Sequence, residues 1–179
     1  MKRLLLLSGP MACGKTSISE MLQARYGFLP VSSSAYLRAE LTARNQVLDR
    51  HNLQELGDAL DCETDFSWLI DSVVIPAITV RPDVNNWLLD AVRKPRQAEL
   101  FRLRFAGAVR HVHLVASEAE LERRYALRNP HQLSQYEADV LHPNEQSARS
   151  LAALADRMLD TETLTPSDIA DQIMEIWEK

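Results

Sequence analysis

Close to its start the chain reads Gly9-Pro10-Met11-Ala12-Cys13-Gly14-Lys15-Thr16, a complete G-x-x-x-x-G-K-[ST] pattern directly behind the apolar run Leu4-Leu5-Leu6-Leu7. No other feature restricts the fold as strongly, because the motif works only between a buried strand and the first turn of a helix. Gly9 and Gly14 let the backbone curl so that its N–H groups converge on phosphate oxygens. Lys15 then reaches the outer phosphates, and the Thr16 hydroxyl is a ligand of the kind Mg²⁺ takes. The positive end of the following helix adds to the same anion site. The loop residues, together with Ser17, are therefore expected to hold a nucleoside triphosphate. A competing reading is a glycine turn with a solvated lysine. The flanks argue against it: residues 3–8 are strand-like, and Ile18, Met21, Leu22 and Ala24 give the next segment an apolar face at helical spacing.

At 179 residues the chain is expected to form a single domain, large enough to bury a core without disulfide staples. Cys13 and Cys62 make no metal-binding pattern, which implies a reduced, cytoplasmic protein. The opening Met1-Lys2-Arg3 and four leucines imitate a secretory signal, but Ser8-Gly9-Pro10 cuts the apolar stretch short. No window approaches the length of a membrane span. The net charge of −5 argues against a broad nucleic-acid-binding face.

Five apolar runs, at 3–8, 28–31, 87–90, 112–115 and 157–160, read as strands separated by helical patterns, the alternation of an α/β fold with a parallel sheet. Ser117 and Glu120 form a capping box for a helix ending near Asn129-Pro130. Thr165-Pro166-Ser167-Asp168 combines a cap, an N1 proline and an early acid. Residues 32–86 form one long helical excursion. In it Phe66, Leu69, Ile70, Val73, Val74 and Ala77 share a face, and Pro76 is expected to kink the helix.

Trp87-Leu88-Leu89-Asp90 is an apolar strand closing on an acid, the arrangement that places a carboxylate beside the phosphate loop to hold Mg²⁺ directly or through water. The alternative is an aspartate that only caps a turn. His111 and His113 alternate on strand four and share a face; two such ligands do not make a metal site, so core or edge histidines are expected. Cys13, among inward-pointing N–H groups next to Lys15, is either an unusually acidic thiol or a small loop residue.

With these segments in place the chain resembles the nucleoside monophosphate kinases, that is, adenylate kinase and its short-lid relatives, and in one spacing the dephospho-coenzyme-A-kinase-like proteins. The likeness rests on Val31-Ser32-Ser33-Ser34-Ala35-Tyr36-Leu37-Arg38 and on Asp90-Ala91-Val92-Arg93-Lys94-Pro95-Arg96-Gln97-Ala98. It implies a P-loop NTPase three-layer fold with a five-stranded parallel sheet in order 2-3-1-4-5, a helical acceptor-binding insertion at 32–86 and a short lid region at 123–143. It implies that Ser33, Arg38 and Arg93 hold the acceptor, that Gln97 reads its base, and that Arg124 and Arg128 lie over the transferring phosphoryl group. Two arginines can fork onto one phosphate. The alternatives are solvated arginines and, for Glu120, Arg124 and Arg128 at i, i+4 and i+8, a surface ion-pair ladder. Arg149 is expected to be a solvated helix arginine, with a late phosphate contact as the alternative.

The activity so implied is transfer of the γ-phosphoryl of Mg·ATP to a nucleoside or deoxynucleoside monophosphate by a monomer or loose homodimer, with small nucleotides as partners. The absence of an acid between Ser32 and Glu40 favours an acceptor that is already anionic over one needing a general base. Two rivals stay open: a kinase acting on a hydroxyl of a nucleoside, a polynucleotide 5′ end or dephospho-coenzyme A, and a nucleotide-dependent switch.

Overall fold

A computed structural model describes residues 1–130 and 135–178. Five parallel strands, β1 (Arg3–Ser8), β2 (Leu29–Val31), β3 (Asn86–Leu89), β4 (Val109–Val115) and β5 (Arg157–Asp160), form one sheet in order β2-β3-β1-β4-β5. The expected order is therefore observed. β1 lies at the centre, and its leucines alternate between two cores because successive side chains leave opposite faces. Leu4 and Leu6 join Trp87, Leu89, Phe101 and the helices of the excursion; Leu5 and Leu7 join Ile18, Leu22, Leu121 and Ile173 on the other side. A strand buried on both faces reads as a continuous apolar run, which is why β1 was visible in the sequence.

Helix α1 (Lys15–Tyr26) leaves the phosphate loop and ends at Gly27, whose φ of 63° returns its N–H to the Gln23 carbonyl. Ile18 and Leu22 are buried as expected, but Ala24 is exposed. The excursion comprises α2 (Ser33–Ala43), α3 (Arg50–Glu63), a π-helical turn at Leu69–Val74 and α4 (Ile75–Val80). The Pro76 kink takes the form of this wide turn, which absorbs the missing N–H just ahead of α4. Phe66 does not belong to the apolar face. It lies with Asp65 in a turn where both residues have positive φ, 47° and 65°.

Helix α5 (Pro95–Phe105) follows β3, and α6 (Glu118–Arg128) follows β4. Ser117 caps α6 by accepting the Glu120 N–H, but Glu120 does not complete the box, because its carboxylate is taken by Arg123 and Arg124. Helices α7 (Tyr136–Leu141) and α8 (Pro143–Ser150) precede β5. The last helix, α9 (Pro166–Glu175), has both halves of the Thr165–Asp168 capping box and buries Ile169 and Ile173. Part of the expected lid region, residues 131–134, lies outside the described residues.

Candidate active site

The C-terminal ends of β1, β3 and β4 converge on the phosphate loop. Gly9 has φ 143°, and a Cβ there would come within 2.7 Å of both the Cys13 sulfur and the Leu114 carbonyl oxygen, so only glycine fits. Gly14 (φ 95°) and Ala12 (φ 61°) supply the other reversals of the loop. Lys15 Nζ folds over it and donates to the carbonyls of Gly9 and Pro10 at 2.6 and 2.8 Å. Cys13 points inward and is fully buried, and burial pushes its thiol up, outweighing the pull of Lys15. The acidic-thiol reading therefore fails; this cysteine packs under Gly9 as a small apolar residue.

A cavity of about 360 Å³ surrounds the loop and is lined by Lys15, Thr16, Asp90, Arg93 and Arg128 among others. Thr16 and Asp90 thus face one space, as the strand-three reading required. Their hydroxyl and carboxylate oxygens suit Mg²⁺, which takes one or two protein ligands and completes its shell with phosphate and water. Among the described residues no three His, Cys, Asp or Glu side chains form a protein-only metal centre.

Glu145 of α8 is a contributor that sequence reasoning missed. Its Oε1 accepts the Met11 backbone N–H of the phosphate loop at 2.8 Å and the Arg149 Nε–H at 3.2 Å. Arg149 also grips Glu118 at 2.8 Å, and Glu118 accepts the Tyr136 hydroxyl at 2.5 Å. The Arg149 and Tyr136 hydrogen bonds hold the Glu118 carboxyl below its ordinary range. Arg149 is accordingly no solvated arginine; it ties α6 and α8 to the loop. The partners stand 27 and 134 positions apart in sequence from Glu118 to Glu145 and from Met11 to Glu145, so no local pattern announces them.

The loop cavity opens at either end. On one side a cavity of about 250 Å³ is lined by Ile18, Arg124, Arg128, Thr161, Leu164 and Ile169 among others, and it shares Ala12, Gly14 and Arg128 with the first. Arg128 therefore faces the loop as expected. Arg124 does not: its guanidinium is pinned by Glu120 at 2.6 Å and by the Thr161 hydroxyl and carbonyl at 2.8 and 2.9 Å, and it lines only the side cavity. Hydrogen bonds from Arg123 and Arg124 pull the Glu120 carboxyl down to about 2.

On the other side lies a second cavity of about 250 Å³, walled by α2, α3 and the start of α5, and sharing Arg50, Gln54, Arg93 and Asn144 with the loop cavity. Ser33 lines it, as expected, and Arg93 faces both spaces. Arg38 does not line it; the side chain sits on the exposed face of α2, one position past the buried Leu37. Gln97 is buried and its amide is committed: Oε1 accepts the N–H groups of Arg93 and Lys94, capping α5, while Nε2 donates to Asp61 at 2.8 Å. It positions Asp61 rather than presenting a free amide. The cavity nevertheless has acids. None follows β2 locally, but Asp58 and Asp61 enter the same cavity from α3. Lys94 Nζ links Asp58 (3.8 Å) to Asn144 (2.7 Å) at the junction of the two spaces.

By sequence, the chain matches no family model and no curated protein. By fold it is similar over nearly its whole length to several solved structures. A shikimate kinase from Bacteroides thetaiotaomicron superposes with TM-score 0.60 at 13% identity, covering 99% of each chain. The YorR protein from Bacillus subtilis, solved in complex with phosphorylated GDP, gives 0.57 at 16% identity, covering 98% of this chain and 96% of that one. A gluconokinase from Sinorhizobium meliloti 1021 gives 0.55 at 15% identity, with 99% and 94% covered. The fold is that of the P-loop kinases.

Proposed function

We propose that this chain is an ATP-dependent kinase that transfers the γ-phosphoryl of Mg·ATP to a hydroxyl of a small acceptor. The observation that carries the reading is the continuous trough: a phosphate loop in the middle, a donor-side cavity under Arg124, and an acceptor cavity that joins the loop at Arg50 and Arg93 and bears carboxylates. In this assignment the flat guanidinium of Arg124, fixed by Thr161, backs the donor base. Lys15, Arg93 and Arg128 neutralise charge on the migrating phosphoryl group, and Thr16 and Asp90 hold the metal. Such a site works by positioning and charge, with little covalent chemistry for the protein.

A hydroxyl nucleophile needs a carboxylate to orient it or take its proton. Asp58, tied to the junction through Lys94, fills that role in this reading. The fold likeness to a shikimate kinase and a gluconokinase supports a hydroxyl acceptor over the monophosphate that the sequence resemblance implies. A nucleoside monophosphate acceptor remains the second reading, favoured by Arg50 and Arg93 at the junction, where an anion would find two donors.

The test is product formation from Mg·ATP against a panel of nucleosides, hydroxy acids and their monophosphates, read by mass spectrometry. Phosphorylation of a hydroxyl compound, lowered about a hundredfold in kcat by Asp58→Asn with little change in KM, is the expected result. Faster turnover of monophosphates, unaffected by Asp58→Asn, would establish the second reading. ATP turnover with no acceptor phosphorylated would mark a switch or hydrolase.

A further inference from the structure

The acceptor cavity contains a carboxylate that neither the loop chemistry nor the transfer step uses. Asp61 is only 6% exposed, and one of its oxygens is fully engaged: Oδ1 accepts the Trp68 indole N–H at 2.7 Å and the Gln97 amide at 2.8 Å. The other, Oδ2, has no hydrogen-bond partner among the described residues, and it is not sealed from solvent as the unpartnered Asn86 Oδ1 and His111 Nδ1 are. Asp61 lines the acceptor cavity, so the free oxygen opens into it. A buried acid fixed at one oxygen and open at the other is built to receive a donor.

The surroundings hold that geometry. Trp68 is stacked on Tyr36 with ring centroids 5.8 Å apart, and Gln97 is locked by its capping bonds. Behind them the chain adopts two consecutive left-handed residues, Asp65 and Phe66, the Phe66 N–H closing onto the Asp61 carbonyl at 2.8 Å and Asp65 held by Arg96 at 2.9 Å. Backbone strain of this kind persists where surrounding contacts over-determine it, and this turn joins Asp61 to the Trp68 that donates to it. The cavity's apolar lining is Leu37, Leu53, Trp68 and Ala91; of its cations Lys94 acts on Asp61, whereas Arg50 and Arg93 belong to the end shared with the loop cavity.

We infer that the acceptor is a nucleoside-type molecule whose flat ring lies against Leu37, Leu53 and Trp68, with an N–H on its edge bonded to Asp61 Oδ2 and its sugar hydroxyl directed to the junction with the loop. An open-chain hydroxy acid has no apolar face for this wall and would bring a second anion to Asp61. The inference rests on the kinase reading for the direction of the hydroxyl only; ring recognition is a binding event that needs no ATP. Burial raises the Asp61 carboxyl above its ordinary range, and the two fixed donors oppose that shift. Filling the open oxygen with an N–H donor adds to that opposition.

The experiment is equilibrium binding without ATP, using guanosine, adenosine, cytidine, uridine and thymidine, their ring-N-methylated or N,N-dimethylated analogues, and gluconate and shikimate as anionic controls that lack a flat heterocycle and an edge N–H. At least one nucleoside should bind the wild-type protein, and removing its edge N–H by methylation should weaken binding about tenfold or more, the usual worth of a hydrogen bond to a charged group. Asp61→Asn should give a comparable loss with the circular-dichroism spectrum retained. The methylated ligands test the same contact on the unaltered protein, so misfolding of the variant would not spare the proposal. Binding of gluconate or shikimate but of no nucleoside overturns it, as does nucleoside binding indifferent to methylation. Nucleoside binding without phosphorylation would leave this inference standing and overturn the kinase reading instead.

Discussion

The phosphate loop shows how little latitude single positions have. Gly9 is excluded from bearing a side chain by the Cys13 sulfur and the Leu114 carbonyl, and Cys13 is a buried small residue because it fills the space beneath that glycine. Lys15 is the contrasting case: its hydrogen bonds go to loop carbonyls, and its charge is what the proposed transfer uses. Lys15→Ala should therefore lower phosphoryl transfer about a hundredfold or more, the cost of losing a preorganised charge at a transferring group. The stability loss should be only about 1 kcal/mol, the net worth of ordinary hydrogen bonds. Steady-state kinetics and urea denaturation of the same preparation separate the two effects. Retention of full activity would remove the loop from the chemistry.

Between elements, the chain Tyr136–Glu118–Arg149–Glu145–Met11 fastens α6, α7 and α8 to the loop. Arg149→Met takes away the shared cation and leaves Glu145, only 14% exposed, without its counter-charge. Because Glu118 is half exposed and keeps much of its hydration, the loss should be about 2 kcal/mol, or a fall in Tm of roughly 4–8 °C. KM for ATP should rise at the same time, since Glu145 holds a loop N–H. A calorimetric scan and an ATP titration check both, and an unchanged Tm would mean that the pairs are solvated. This brace also marks the limit of what sequence reading reaches. The sheet, its order and the loop were legible because they depend on local signals: a buried apolar run, a glycine spacing, alternation of strand and helix. Ser33, Arg93, Arg128, Thr16 and Asp90 lie near those signals in the chain, and each lines the loop cavity or the cavity beside it. Asp58, Asp61 and Glu145 come from helices whose docking is decided by packing, and their spacing alone is that of any solvated helix face. For Gln97 and Arg124 the motif resemblance identified the positions, but the partners that hold their side chains, Asp61 and Thr161, are distant in sequence and left no local signal. The turn at Asp65 and Phe66 gave no warning either, since neither residue type favours positive φ strongly enough to be read.

For the molecule as a whole, the weak point in acid is the centre of the sheet. Where β1 and β4 pair in register, Leu6 against His111 and Ser8 against His113, the apolar face of Leu4, Leu6 and Val109 gives way to a polar cluster under the loop. Ser8 Oγ bridges His111 Nε2 at 2.6 Å and His113 Nδ1 at 2.8 Å. Both imidazoles are essentially inaccessible, and burial depresses each from 6.5 to about 4, helped by Arg102 at His111 and by His111 and Lys15 at His113. Between those values the unfolded chain binds protons that the folded chain refuses, so stability is complete above pH 6.5, declines as the pH falls, and suffers no further loss from this source below about 4. A shift of this size corresponds to about 3 kcal/mol for one histidine, and the pair titrates jointly because each charge opposes the other. Against a typical domain stability of about 5–15 kcal/mol that is a large fraction. Carboxylates do not mimic the effect: Glu120 loses its pairing only below its ordinary 4.5, and Asp61, raised by burial, gains stability as it protonates. Urea denaturation at pH 8, 7, 6 and 5 should show unfolding free energy falling steadily below pH 7, with the slope roughly halved in His111→Gln. A free energy that is flat from pH 7 to pH 5 would mean that the two histidines are charged, or hydrated, in the folded protein.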